Sequence, residues 1–348
     1  MRNQRSIPVY KILDVPGLYN SLGYLDFNTI ANLNYPYTII ISLRGGGKTY
    51  GALSWMLEHD KRFIYFRRTK IAAEIAATAA YSPFKIINAD KGLDVQPQYN
   101  SKLGVGSFVL DDKTVGYVTS LSTFAGLRSI DGSDLDWMIY DEFIPQPEER
   151  TLYNSFTAWA HADETLNRNR EADGRPGIRR LLMANSDTIY GDIVAGYGIG
   201  DCFMAMQEDG IEAIEFSPDM VLLRPKCEEL AERKKDTPLY RVTAGSDFAR
   251  VALDNQFRIE DREKIRRQPV MEYKPICRVN GVTICRHKSG RRYYVTTSRI
   301  GQPKIYQDTD ADRRRFLNEN PGIYPAYLAK RVTFENLAAQ MAFLKIYG

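Results

Sequence analysis

A short glycine-rich stretch between an apolar run and a helical pattern constrains the fold of this chain more than any other feature. The apolar run covers residues 37–41, the glycine-rich stretch is Ser42–Thr49, and the helical pattern continues to Asp60. Three consecutive glycines let the backbone curl with its N–H groups facing inward, and the start of a helix adds positive electrostatic potential. The order strand, glycine loop, helix therefore predicts a loop that binds phosphate groups.

The residue types in this loop indicate how it would hold a nucleotide. An ammonium group at position 48 suits the β- and γ-phosphates, and a hydroxyl at position 49 suits Mg²⁺. Ser42 departs from the usual pattern because it occupies the position of the first glycine. A glycine-rich turn that carries a solvated lysine is the alternative. The predicted nucleotide-binding residues are Leu43, Arg44, Gly45, Gly46, Gly47, Lys48 and Thr49.

The charge of the 348-residue chain is unevenly distributed over what its length predicts to be about two domains. Residues 262–348 contain 18 Lys and Arg against 7 Asp and Glu, a net charge of +11, while residues 1–261 contain 29 against 36, a net charge of −7. A basic C-terminal module favours binding to nucleic acid or another polyanion, and a solvated charged surface is the alternative. The sequence has no bilayer-spanning apolar run and no signal-peptide core, so we expect a cytosolic protein without a membrane partner.

Alternating strand and helix patterns in the first two thirds of the chain predict a doubly wound α/β sheet. A charged helix over residues 227–236 is typical of a connector or lid, and a three-stranded meander and a helix over residues 324–347 follow it. The predicted domains are a P-loop domain (1–222), a helical linker (223–261) and a basic C-terminal domain (262–348). Strands are predicted at 37–43, 63–67, 107–110, 115–120, 137–140, 179–184, 276–279, 282–286 and 292–297, and further helices at 48–60 and 149–167.

Two acidic residues end the apolar strand 137–140. In a chain with a phosphate-binding loop, Asp141 would hold Mg²⁺ through its water shell, and Glu142 would polarise the attacking water. The chain contains no Asn-Lys-x-Asp motif of the kind that recognises guanine. The adjacent glutamate therefore favours ATP hydrolysis coupled to movement.

Two other polar segments are ambiguous from the residues alone. Asn185 follows the strand 179–184, where it would sense the γ-phosphate or simply start a turn. Arg168 and Arg170 lie just before that strand, where a guanidinium would act at a neighbouring subunit's γ-phosphate or would only belong to a charged helix end.

Taken together, the motifs resemble in their order the genome-packaging (encapsidation) ATPases of small protein-primed tailed phages, the phi-29-like group. These are ring motors related to large terminases. The resemblance runs nearly end to end. The motifs that carry it are Leu43–Thr49, Phe63–Lys70, Ile139–Phe143, Arg168–Glu171, Ala184–Ser186 and Leu253–Phe257.

The resemblance implies roles for basic residues that the residues alone leave open. Arg44 matches a catalytic arginine inside the family's phosphate loop, and Arg168 matches an arginine finger supplied by the adjacent subunit. Arg128 falls where the family has a second basic residue acting between subunits, and Arg170 is a further candidate for that role. The DNA-contact candidates are Lys70, which matches a basic residue facing DNA in the central channel, and Arg67.

The fold class implied is α/β: a doubly wound P-loop NTPase of the additional-strand, catalytic-glutamate (ASCE) type. A helical linker would join it to a small α+β C-terminal domain that resembles a degenerate RNase H-like fold. We expect that domain to be nuclease-inactive, because its first candidate strand, Ile276–Val279, carries no metal-binding carboxylate.

The implied function is ATP-driven translocation of double-stranded DNA into a preformed procapsid, with ATP and Mg²⁺ bound between the subunits of a homo-oligomeric ring, a pentamer by resemblance. The ring would work in the host cytoplasm, docked on the portal, and a structural packaging RNA is a further candidate partner. Two alternatives come from other classes of protein: a nucleic-acid-binding P-loop switch protein without useful turnover, and a helicase-like ATPase.

Overall fold

The computed structural model describes residues 10–124, 132–145, 154–185, 188–189, 191–253, 255–257 and 264–347. The chain forms two compact units. Unit 1 consists of Met1–Asp187 and Ala205–Gln256, and unit 2 consists of Thr188–Met204 and Phe257–Gly348. The segment Thr188–Met204 thus groups with unit 2, and the three-part division at residues 222 and 261 stays a prediction.

Up to residue 253 the described chain alternates between strands and helices. The strands are β1 (Lys11–Ile12), β2 (Tyr37–Ser42), β3 (Phe63–Arg67), β4 (Gln96–Asn100), β5 (Val105–Leu110), β6 (Lys113–Ser120), β7 (Trp137–Asp141), β8 (Arg179–Asn185), β9 (Ala213–Ser217) and β10 (Met220–Leu223). The helices are α1 (Phe27–Asn32), α2 (Lys48–Glu58), α3 (Lys70–Ala76), α4 (Phe84–Lys91), α5 (Leu121–Phe124), α6 (Ser155–Asn167), α7 (Asp192–Tyr197), α8 (Gly200–Asp209), α9 (Glu228–Lys235), α10 (Pro238–Val242) and α11 (Asp247–Leu253).

Unit 1 is built on one ten-stranded sheet with the order β1-β9-β10-β2-β8-β7-β3-β6-β5-β4. The six strands from β10 to β6 in this order are parallel, and the outer strands at both ends are antiparallel. Strand β8 lies between β2 and β7, so the phosphate-loop strand and the acidic strand are not neighbours. Their ends are in register through β8: Ser42 pairs with Asn185, and Asp141 pairs with Met183.

The central strands are buried on both faces because helices cover both sides of the sheet. On one face, the ring of Phe63 packs against Phe84 of α4, with 6.2 Å between the ring centroids. On the other face, Trp159 of α6 contacts Phe66 at 5.7 Å and stacks on Tyr140 at 5.4 Å. Alternate residues of a strand point to opposite faces, which explains why these strands are apolar throughout. The predicted α/β fold with a mostly parallel central sheet is confirmed.

A two-residue turn joins β5 and β6, because Lys113 already pairs with Leu110. Asp111 and Asp112 have φ values of 50° and 60°, so both central residues adopt the left-handed conformation of a type I′ turn. This turn matches the right-handed twist of the paired strands.

Unit 2 contains a second, five-stranded sheet with the order β14-β11-β12-β13-β15. The predicted meander is confirmed: β11, β12 and β13 are antiparallel, and the first turn has positive φ at Asn280 (45°) and Gly281 (77°). The predicted continuous helix over residues 324–347 is wrong, because β15 divides it. The elements are β11 (Tyr273–Val279), β12 (Val282–His287), β13 (Tyr293–Thr296), β14 (Lys304–Ile305), α12 (Asp310–Glu319), α13 (Ile323–Leu328), β15 (Val332–Phe334) and α14 (Leu337–Tyr347).

The divided C-terminal helix has a physical cause. Val332 and Phe334 are buried, and their strand pairs in parallel with β13. Long-range strand pairing therefore overrides the local helical pattern.

Nowhere in the part of the chain that the structure describes is a helix both long and apolar enough to cross a membrane.

We predict that Gly116→Ala destabilises unit 1. A Cβ atom at Gly116 would lie 2.5 Å from the ring of Phe63, which is itself fully buried. Overpacking of this kind costs about 1–3 kcal/mol. Urea unfolding followed by fluorescence should show a lower midpoint. Gly322→Ala is the matched control, because a Cβ atom there would meet no atom within 4 Å. Equal midpoints for the two variants would contradict the prediction.

Candidate nucleotide-binding site

The glycine-rich loop curls between β2 and α2. Gly45 and Gly47 have φ values of 73° and 86°, a left-handed conformation that L side chains rarely adopt. At Gly46 a Cβ atom would make a tight contact, 3.3 Å from the hydroxyl oxygen of Ser42. Helix α2 begins at Lys48, so its N-terminal N–H groups adjoin the loop. This is the geometry that binds phosphate groups.

The ammonium group of Lys48 is buried beneath the loop and binds several oxygens. It donates to the carbonyl of Leu43 (2.9 Å), the carbonyl of Ser42 (3.2 Å) and the Ser42 hydroxyl (3.3 Å). It also donates to Oδ1 of Asn185 (3.1 Å), at the end of the adjacent strand β8. Ser42 therefore replaces the usual glycine with a hydroxyl that holds the lysine. Asn185, predicted as a sensor or a turn residue, contacts the ammonium group of Lys48 directly.

Asp141 ends β7 as a buried carboxylate with two hydroxyl donors. Its Oδ2 atom accepts hydrogen bonds from Thr49 Oγ1 (2.8 Å) and from Tyr65 OH (2.6 Å). Burial and the nearby Asp141 charge raise the pKa of Tyr65 above its ordinary value, so the phenol stays a donor. The predicted metal residues Thr49 and Asp141 thus lie in direct contact.

Glu142 directly follows β7 and has a left-handed backbone conformation, with φ of 53°. Its side chain is 55% exposed. The guanidinium of Arg67 bridges both acidic residues: its Nη2 lies 2.6 Å from Oε2 of Glu142, and its Nη1 lies 3.3 Å from Oδ2 of Asp141. Burial by itself would lower the pKa of Arg67, but Tyr65 and the two carboxylates outweigh burial and raise it. Arg67 is therefore a permanent cation inside the site.

This position corrects one sequence-based prediction. Arg67 was expected to contact DNA, yet its side chain is only 19% exposed and its Nη1 and Nη2 groups are engaged by Asp141 and Glu142. Tyr65 and Arg67 lie two residues apart on β3 and so point to the same face. This alternation of polar residues in an otherwise apolar strand is the signal that would have assigned both to the site.

These residues surround a pocket of about 840 Å³, which falls in the range of small-molecule sites. A loop of the N-terminal segment and helix α4 form the remaining walls. The lining residues are Asn20, Leu22, Tyr24, Leu25, Arg44, Gly45, Gly46, Gly47, Lys48, Thr49, Tyr50, Gly51, Ile86, Asp90, Asp141, Glu142, Ala184 and Asn185.

The donor set at Thr49 and Asp141 fits Mg²⁺. Magnesium takes one or two protein oxygens at about 2.1 Å and completes its shell with phosphate and water, so adjacent ligands lie about 3 Å apart. The observed oxygen separation is 2.8 Å. Among the described residues, no group of three or more His, Cys, Asp or Glu could hold a metal ion alone.

Helix α9, predicted as part of a linker or lid, packs on the phosphate loop within unit 1. The ammonium of Lys234 donates to the backbone carbonyl of Arg44, and burial lowers its pKa. The Cys227 thiol, just before α9, lies 3.4 Å from the position of a Cβ atom at Gly46, and burial raises its pKa to about 11. No local sequence pattern indicates these long-range contacts.

The remaining predicted residues lie outside the pocket. Lys70 is exposed at the first position of α3. Arg168 is exposed at the end of α6, next to the start of β8. It therefore lies at the amino ends of the parallel strands, whereas Lys48 lies at their carboxyl ends. Arg170 is buried and donates to the carbonyls of Leu135 (2.7 Å) and Gly132 (2.6 Å), so its predicted action on a neighbouring subunit is wrong. Arg128 lies outside the described residues.

A family model described as the podovirus DNA encapsidation protein (Gp16) matches residues 16–284. This match covers more than half of the chain, so the chain belongs to that family. The predicted resemblance to phage encapsidation proteins is confirmed.

Individual relatives agree with this assignment. The DNA packaging protein of Bacillus phage phi29 is 23% identical over 250 residues, covering 70% of this chain and 67% of the relative. The DNA packaging protein of Bacillus phage PZA gives the same values.

Two solved structures share the fold over nearly the whole chain. The bacteriophage Phi-29 viral genome packaging motor assembly matches with a TM-score of 0.65 and 15% identity, covering 94% of this chain and 99% of that one. The Phi-28 gp11 DNA packaging motor matches with a TM-score of 0.61 and 16% identity, covering 94% and 97%.

We predict that Tyr65→Phe weakens Mg²⁺ binding at the nucleotide site. The variant keeps the ring but removes the hydrogen bond that orients Asp141. Loss of a residue that holds a metal ligand in place costs about 10- to 100-fold in metal affinity or activity. A Mg²⁺ titration of nucleotide binding measures the change. Tyr35→Phe is the matched control, because it removes a similar hydrogen bond, to Glu215 (2.6 Å), outside the pocket. An unchanged Mg²⁺ dependence in Tyr65→Phe would contradict the assigned role of this contact.

Proposed function

We propose that this protein is the motor subunit that hydrolyses ATP to move double-stranded phage DNA into a preformed procapsid. Membership of the DNA encapsidation family supports the DNA-packaging part. One observation supports the ATPase part: a buried lysine, a hydroxyl next to a buried carboxylate, and an adjacent glutamate meet at the carboxyl ends of parallel strands. The position of β8 between β2 and β7 supports an ASCE-type P-loop NTPase.

Lys48 and the loop would bind the phosphates. The Lys48 ammonium now donates to neutral oxygens of Leu43, Ser42 and Asn185, which phosphate oxygens would partly replace. Asn185 would thereby sense the γ-phosphate through the same lysine. Thr49 and Asp141 would hold Mg²⁺, which supplies charge neutralisation at the β- and γ-phosphates when bound.

Glu142 is the group that would accept the proton of the attacking water. It is the more exposed of the two acids, and it lies on the pocket wall with Asp141. Arg67 donates to the Glu142 carboxylate and also contacts Asp141, so its positive charge offsets the repulsion between the two acids. Arg44, on the exposed side of the phosphate loop, is the candidate for stabilising phosphate charge from within the subunit.

Arg168 is proposed to act on a neighbouring subunit. The side chain of Asn167 bonds the backbone of Ile178, so Arg168 lies beside the start of β8. Asn185 lies seven residues after Ile178, a distance of about 23 Å at the usual rise per strand residue. That distance exceeds the reach of an arginine side chain, so Arg168 cannot serve the pocket of its own chain. A ring in which each arginine reaches the next pocket, a pentamer by resemblance, resolves this separation.

The basic residues 262–348 are proposed to bind a polyanion or the portal, with a structural packaging RNA as one candidate. Docking of the ring on the portal in the host cytoplasm follows from the family resemblance. The RNase H-like character and nuclease inactivity of this domain remain predictions. DNA contacts should fall mainly on phosphates, because a packaging motor must accept every sequence.

We expect Glu142→Gln to retain ATP binding and to lose turnover. General-base catalysis contributes about 10²- to 10⁴-fold, and glutamine cannot accept the proton. ATPase assays on portal-bearing procapsids with DNA measure turnover, and a fluorescent ATP analogue measures binding. Glu58→Gln is the control, because Glu58 pairs with Lys91 at the far end of α2. Wild-type turnover in Glu142→Gln would refute the catalytic role. Strand separation of forked DNA by the native protein would favour a helicase-like ATPase.

Lys70→Ala should weaken DNA binding equally for unrelated sequences. Loss of one phosphate contact lowers the slope of log affinity against log salt by about 0.9. Binding titrations of duplex DNA at several salt concentrations measure this slope. Lys113→Ala is the control. Lys113 begins β6, whereas Lys70 follows the carboxyl end of the parallel neighbour β3, so the two lysines lie at opposite ends of these strands. An unchanged slope in Lys70→Ala would remove Lys70 from the DNA interface.

A further inference from the structure

Arg168 has a backbone conformation that is unfavourable for any residue with a side chain. Its φ is 46° and its ψ is −134°, at the C-terminal end of α6. Such a conformation persists only where the surrounding structure holds it, and it is a reason to look for function. The side chain itself is exposed.

Asn167 closes the loop that carries Arg168. Its side chain is buried, and its Oδ1 accepts a hydrogen bond from the backbone N–H of Ile178 (2.8 Å). Its Nδ2 donates to Oε2 of Glu171 (2.6 Å). The residue before Arg168 is thereby tied both to the start of β8 and to the acid that follows Arg168 by three positions.

Glu171 is in turn held by Arg180, the second residue of β8. Nη1 of Arg180 lies 3.5 Å from Oε1 of Glu171. Arg180 is itself buried and fixed by Asp163 of α6, with Nε to Oδ1 at 2.8 Å and Nη2 to Oδ1 at 2.5 Å. The OH of Tyr37 donates to the same carboxylate (2.5 Å). The chain of contacts therefore runs from the rigid sheet and α6 to the loop.

Arg170 fixes the other side of the loop. Its guanidinium points inward and donates to the carbonyls of Gly132 and Leu135, which precede β7. The two arginines on either side of Asn169 thus have opposite orientations: Arg170 is buried, and Arg168 is exposed.

We propose that Asn167, Glu171 and Arg180 are positioning residues that hold Arg168 in its strained conformation for contact with the nucleotide of a second copy of this chain. The inference rests on the proposed function, in which Arg168 acts between subunits. A guanidinium held in place before the subunits meet loses less freedom in the transition state, and misplacement by about 1 Å can cost 10²-fold in rate.

Glu171→Ala tests the proposal, because the Glu171 side chain is 56% exposed and its removal leaves the buried Arg180–Asp163 pair intact. We expect a 10- to 100-fold lower turnover of the full-length protein on portal-bearing procapsids with DNA. Affinity for a fluorescent ATP analogue and the thermal midpoint should stay unchanged. Glu171→Gln should recover part of the turnover, since its amide oxygen can still accept from Asn167.

Asp173→Ala is the matched control. Asp173 lies in the same loop, its side chain is 57% exposed, and it pairs with Arg175 at 3.1 Å. We expect wild-type turnover for this variant. An equal loss in Asp173→Ala and Glu171→Ala would mean that the loop merely tolerates no change, and would overturn the specific role of Glu171.

Two further measurements ask whether Glu171 acts through Arg168. The double variant Arg168→Ala/Glu171→Ala should be no slower than Arg168→Ala alone, because residues that act as a unit are non-additive. Mixed rings of Glu171→Ala and Lys48→Ala subunits should exceed the summed rates of the separate rings, because each Lys48→Ala subunit still supplies an intact Arg168 loop. Additive losses, or no recovery in mixed rings shown to form, would overturn the proposal.

The same experiments separate this inference from the proposed function. If Arg168→Ala alone has wild-type turnover, the intersubunit role of Arg168 falls and the positioning role falls with it. If Arg168→Ala is slow while Glu171→Ala matches the wild type, only the positioning role is wrong.

Discussion

The site depends on the parallel register of β2, β8, β7 and β3. Parallel strands end at a common edge, so residues distant in sequence become neighbours there. Ser42 and Asn185 pair across β2 and β8, and both contact Lys48. Asp141 lies two strands from Ser42, about 10 Å at the usual strand spacing. The phosphate loop and the first turn of α2 bridge this gap, which brings Thr49 against Asp141.

Placing two acids at one strand end creates an electrostatic problem that β3 solves. Like charges this close repel each other. Arg67 contacts both acids, and Tyr65 donates to the buried one. The same arrangement leaves Glu142 on the pocket wall with its carboxylate oriented, so one strand supplies both charge balance and geometry.

The sheet also separates the candidate pocket from the Arg168 loop, which lie at opposite ends of the parallel strands. The pocket lies at the carboxyl ends of the parallel strands, and the Arg168 loop lies at their amino ends. Strand β8 links them, since it carries Arg180 near one end and Asn185 at the other. The length of β8 keeps the pocket and the Arg168 loop apart within one chain. In the proposed ring, the Arg168 loop of one copy would instead serve the pocket of the next.

The sequence by itself determined the α/β class, the positions of the main strands and the residues at their carboxyl ends, because apolar runs, glycines and acidic pairs are local signals. It therefore located Lys48, Thr49, Asp141 and Glu142, whose roles remain proposals. Only the tertiary structure decided which way Arg67 and Arg170 point, since burial and partners come from strands and loops distant in sequence. It also made Val332–Phe334 a strand and packed α9 on the phosphate loop. Such pairings depend on contacts between segments far apart in the chain, which a local pattern does not record.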